Sequence, residues 1–71
     1  MSTIAATNLK NPSAASNNVV LNTDGTVRLP VSVTPASATA TGTAGEIRWD
    51  GTYIYICTAT NTWRRVAHAT W

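Results

Sequence analysis

Glu46-Ile47-Arg48-Trp49-Asp50-Gly51-Thr52-Tyr53-Ile54-Tyr55-Ile56-Cys57-Thr58 decides the fold. β-Branched and aromatic residues fill both arms, and Asp50-Gly51 stands between them as a tight turn whose glycine can supply positive φ. Ala59-Thr60-Asn61 then leads into Thr62-Trp63-Arg64-Arg65-Val66-Ala67, so the pattern predicts a three-stranded antiparallel meander. At period two, Tyr53, Tyr55 and Cys57 share one face of the middle strand, and Ile54 and Ile56 the other. Neither face reads as solvated, so the sheet needs cover from the first hairpin or from another copy of the chain.

Outward from the meander the side chains shrink. Residues 35–44 are small (Pro35-Ala36-Ser37-Ala38-Thr39-Ala40-Thr41-Gly42-Thr43-Ala44) and alone would form a flexible linker; in a close assembly they would let neighbouring chains approach. Before them, Val19-Val20-Leu21-Asn22, the turn Thr23-Asp24-Gly25 and Thr26-Val27-Arg28-Leu29-Pro30-Val31-Ser32-Val33 read as a second Asp-Gly hairpin. Val27, Leu29, Val31 and Val33 fall on one face of its long arm. Pro30 cannot donate to a ladder, which makes that arm an edge or ends its pairing there. Helix signals are almost absent, because no 3.6-residue apolar stripe runs for three turns. The expected fold is all-β. Residues 1–17 form an extended N-terminal arm, 18–34 a first hairpin, 35–44 a linker and 45–71 the meander, all within a single domain completed by trimerisation.

Composition explains why completion is expected. Thr, Ala, Asn and Ser supply 35 of the 71 residues (13, 11, 6 and 5), only 8 are charged, and Leu, Ile and Val together number 13. A chain this short buries only about 60% of the surface its unfolded form exposes. Small domains compensate with disulfides, a structural metal or oligomerisation. Cys57 is the single cysteine and His68 the single histidine, so neither an intrachain disulfide nor a four-ligand zinc site is expected, and oligomerisation remains. Trp71, an aromatic at the end of the sequence, is expected to dock on a neighbour. The core and interface candidates are Trp49, Tyr53, Ile54, Tyr55, Ile56, Trp63, Arg65 and Trp71.

The chemistry points to architecture. Residues 1–7 carry no signal-peptide pattern and no segment reaches the apolar length of a membrane span, which predicts a soluble, unexported protein with no membrane partner. Asp24 and Asp50 sit in Asp-Gly turns where the carboxylate can bond the backbone, and Glu46 opens a strand. No second group is evident to make His68 a general base. Catalytic residues, cofactors, metal ligands and a small-molecule substrate are therefore all expected to be absent, and the chain is read as no enzyme. Cys57, between Ile56 and Thr58, reads as a small buried hydrophobe. Aromatics beside Arg48, Arg64 and Arg65 could stack bases as nucleic-acid-binding sheets do, but cross-strand packing produces the same neighbours and the cations are scattered.

Residues 42–57 followed by Asn61-Thr62-Trp63-Arg64-Arg65-Val66-Ala67 resemble a module that recurs at the ends of structural proteins of tailed bacteriophages, particularly marine and cyanobacterial ones. Residues 7–16 with Val19-Val20-Leu21 and Asp24-Gly25 look like the opening segment that accompanies it. His68 departs from the apolar residue expected there. The resemblance implies a virion structural protein, made in the host cytoplasm and used in trimeric or other repeated assemblies. A fibre needs a shaft and an attachment region, which 71 residues hardly hold, so length favours a trimeric capsid decoration or cement protein gripping the major capsid protein or another virion protein. A tail-fibre, tail-adaptor or tail-tip component is the alternative, and a small nucleic-acid-binding sheet a remote one.

Overall fold

The computed structural model describes residues 3–71, and among them the chain is all-β, with no helix and two antiparallel three-stranded sheets. Among the described residues no helix is long and apolar enough to cross a membrane. The sheets belong to two compact units, which divide between Val31 and Ser32.

In the N-terminal unit, β1 (Asn8–Leu9), β2 (Val19–Leu21) and β3 (Val27–Arg28) lie in the order β1-β2-β3. Part of the expected extended arm is thus paired, with Asn8 opposite Val20 and Leu9 opposite Val19. Asparagines organise the connection: Asn18 Oδ1 accepts the Asn11 N–H at 2.7 Å, and Asn11 Oδ1 accepts the Ser13 N–H at 2.8 Å. The Asp-Gly turn forms as expected. Gly25 takes φ +87°, and Asp24 Oδ1 accepts both the Thr26 N–H at 3.0 Å and the Thr26 hydroxyl at 2.6 Å. Those bonds, the hydroxyl's first, hold the Asp24 carboxyl below its ordinary pKa. The long second arm does not form. Pairing ends at Arg28, two residues before Pro30, and Leu29, Val31 and Val33 lie outside any strand and exposed.

The C-terminal unit contains every fully buried large side chain among the described residues. β4 (Ile47–Trp49), β5 (Tyr53–Ala59) and β6 (Thr62–Ala67) make the expected meander, in the order β4-β5-β6. Tyr55 pairs with Arg48 on one side and Arg65 on the other, and Cys57 lies opposite Trp63. These positions make the inner face, where Tyr55, Cys57 and Trp63 are 6%, 1% and 6% exposed. The outer face is not covered within the unit. Ile54 and Ile56 are 51% and 42% exposed, because nothing in the unit packs on that side.

Two turns depart from the sequence reading. Gly51 does not take positive φ; the Asp50 carboxylate holds that turn instead, with Oδ1 accepting the N–H groups of Thr52 and Tyr53, both at 2.8 Å. Positive φ appears at Gly45 (+98°), third residue of a turn closed by the Glu46 N–H on the Thr43 carbonyl at 3.1 Å. Gly45 and Glu46 together oppose Cys57, the Gly45 N–H bonding its carbonyl at 2.8 Å and its N–H bonding the Glu46 carbonyl at 2.9 Å. This is a bulge with glycine at its left-handed position.

Residues 35–44 are not a free linker. They lie over the inner face as a strap, with Pro35 and Gly42 buried and Ala40 packed on the core. Small side chains are what permit it. A Cβ at Gly42 would stand 2.7 Å from the Trp63 ring, so only glycine lets the backbone come this close. The Trp63 Nε1–H bonds the Ala40 carbonyl at 3.0 Å and its backbone N–H the Ala38 carbonyl at 2.9 Å.

Candidate functional site

The strap and the inner face of β4-β5-β6 enclose a layer of rings, guanidinium groups and carboxylates. Its anchor is Asp50. While Oδ1 serves the turn, Oδ2 accepts the Tyr55 hydroxyl at 2.5 Å and the Thr34 hydroxyl at 2.7 Å. The Asp50 carbonyl also lies 3.1 Å from His68 Nε2, and the His68 N–H bonds the Thr52 carbonyl at 3.1 Å. Four donors on one carboxylate, the Tyr55 hydroxyl foremost, hold its pKa far below the usual carboxylate range; the same bond pushes the Tyr55 phenol up. Asp50 thus fastens the start of the strap, the β4–β5 turn, the middle strand and the tail to one point.

The cations stack on rings. Arg65 lies 4.0 Å above the centre of the Tyr53 ring, and Arg48 lies 4.8 Å above Trp63 while pairing with Glu46 Oε2 at 3.2 Å. Glu46 Oε1 accepts the Thr43 N–H at 3.1 Å, which ties the strap's last turn to the same group. The rings of Tyr53 and Tyr55 sit 5.8 Å apart, tilted by 53°. At the far end, Asn61 takes φ +53°, donates its N–H to the Gly42 carbonyl at 2.9 Å and accepts the Gly42 N–H on Oδ1 at 3.0 Å. The Cys57 thiol is buried and bonds the Ala59 carbonyl at 3.0 Å. Between the strap and β6 a cleft of about 510 Å³ remains, lined by Thr34, Pro35, Ser37, Tyr55, Arg64 and Arg65 among others.

The structure brings Tyr53, Tyr55, Trp63 and Arg65 together on the inner face. Trp49, half-buried, shares a cross-strand row with Ile54 and Val66 on the outer face, and its carbonyl accepts the Val33 N–H and the Ser32 hydroxyl, both at 3.1 Å. Ile56 joins Ile47 and Arg64 in the next row. Trp71 is fully exposed. Sequence reasoning missed the strap contacts of Thr34, Ala40, Gly42 and Asn61, and it saw Asp50 only as a local turn residue. Asn61 alone carried a signal, since asparagine tolerates left-handed backbone in a turn.

No family model and no solved structure matches the chain. It is similar to two curated phage proteins. One is a depolymerase, capsule K30/K69-specific, of Klebsiella phage K64-1, 54% identical over 50 residues, which are 69% of this chain and 6% of that protein. Another is depolymerase 1, capsule K30/K69-specific, of Klebsiella phage K5-2, 47% identical over 36 residues, 51% of this chain and 4% of the relative. These names overturn the reading of the chain as no enzyme. That reading rested on the scarcity of acid–base pairs within 71 residues, and the matched stretch occurs inside much longer proteins named as enzymes. The length argument against a fibre loses its force for the same reason.

Proposed function

We propose that the chain is a tail-fibre-type structural module of a bacteriophage virion protein, of the kind to which capsule depolymerases belong. The observation that carries this is the 54% identity over 50 residues with a phage capsule depolymerase. The β4-β5-β6 sheet suits a structural element of such a protein. Its inner face is closed by the strap, and its outer face offers Ile47, Ile54, Ile56 and Val66, between 42% and 70% exposed, for packing in an assembly. Copies of the same chain are the partner proposed for that face, with a trimer as the assembly; isologous or cyclic packing matches apolar rows against apolar rows. The capsid-decoration reading draws no support from these relatives, and the alternative tail location is preferred. Immunogold electron microscopy of virions with an antibody against this chain tests the proposal. Label on the tail is the expected result, and label confined to the head overturns it.

A further inference from the structure

We infer that the cleft beside β6 is a docking groove for an extended, acidic polypeptide segment, which adds as a strand to the open edge of the sheet. β6 is an edge strand in the order β4-β5-β6. The Trp63 N–H points away from β5 to the Ala38 carbonyl, so alternation along the strand turns the N–H and C=O groups of Arg65 and Ala67 outward as well. Ala38 is the last strap residue bonded to this edge; among the described residues no backbone group pairs with it at Arg65 or Ala67. An edge of this kind is a template for another strand.

Charge selects the occupant. Arg65 lines the cleft from the inner face and Arg64 from the outer row beside it at the strand edge. Asp24 and Glu46 are engaged away from it, with Thr26 and with Arg48 and Thr43. The Asp50 carboxylate, bonded to the cleft's own Thr34 and Tyr55, is already filled by its four donors, so two arginines face one occupied carboxylate and the balance at the cleft is positive. The adjacent arginines also repel the same edge of a second copy, which disfavours β6-to-β6 pairing. Stacking on Tyr53 holds the Arg65 guanidinium in place, leaving its N–H groups for a carboxylate. An acidic saccharide is less suited, because Tyr55 and Trp63 are 6% exposed and Arg65 covers Tyr53, so no open ring face remains for a sugar. The inference stands apart from the tail-fibre reading, since it concerns only the edge and its charges.

The test is amide NMR of the full chain at low salt, titrated with a blocked peptide of alternating threonine and glutamate. Expected are saturable shifts and slowed hydrogen exchange at the Arg65 and Ala67 amides, with binding weakened on the order of tenfold by Arg64→Gln, which leaves the Tyr53 stack intact. The same peptide N-methylated at alternate residues keeps its charge but cannot pair with the edge, and should lose the binding. Absence of binding by the parent peptide, equal binding of the N-methylated form, or binding of polygalacturonate in its place would each overturn the inference.

Discussion

Asp50 accepts four hydrogen bonds through two oxygens, and the consequences of that crowding can be measured at single residues. Its folded-state pKa lies below the ordinary 3.8, so the stability it contributes is present above that value and is lost as the pH falls through it. Tyr55 is shifted the other way, above 10.0; its contribution is intact below that value and lost as the pH rises through and past it. Thermal melts across pH should therefore fall at both ends, below about 4 and above about 10, near the ordinary values of these groups. Asp50→Asn should lower the melting temperature at neutral pH and flatten the acid limb. A variant as stable as the parent and equally acid-sensitive would remove Asp50 from this role. Tyr55→Phe deletes the largest of the four bonds, and the Asp50 carboxyl should then titrate closer to its ordinary value by carbon-detected NMR. Trp63→Ala, in contrast, acts through volume: it empties the ring site beneath the strap and should cost about 3–5 kcal/mol in urea unfolding.

The strap is the element whose stability depends most on having almost no side chains. Gly42→Ala places a methyl 2.7 Å from the indole, and overpacking of this kind costs about 1–3 kcal/mol. Hydrogen exchange should show the loss first at the Trp63 indole N–H, whose bond to Ala40 holds only while the strap is seated. Asn61 tests the other end. Asn61→Gly keeps the left-handed backbone and removes one bond to Gly42, whereas Asn61→Ala removes the bond and strains the turn. Urea midpoints should rank parent above Asn61→Gly and that above Asn61→Ala; the reverse order of the two variants would show that φ does not limit this turn. The strand elements were legible because their information is local: β-branched alternation, Asp-Gly pairs and a proline that ends a ladder. The strap was not, since a run of alanine, serine and threonine has no signature of its own.

At the scale of the molecule, the inner face of the C-terminal sheet is closed within the chain and the outer face is not. If copies pack through the outer rows, Ile54→Lys should shift sedimentation from oligomer to monomer while far-ultraviolet circular dichroism stays unchanged. A parent chain that sediments as a folded monomer at all concentrations would refute the self-packing. The sequence by itself determined the all-β class, where the two meander turns fall, and the grouping of Tyr53, Tyr55 and Cys57 on one face, because each follows from the conformations and periodicity of neighbouring residues. Only the tertiary structure decided that Ile54 and Ile56 lie uncovered, that residues 35–44 close the core, and that Asp50 joins strap, turn, strand and tail. Those features depend on residues far apart in the chain, and on how closely a backbone without bulky side chains can approach the Trp63 ring.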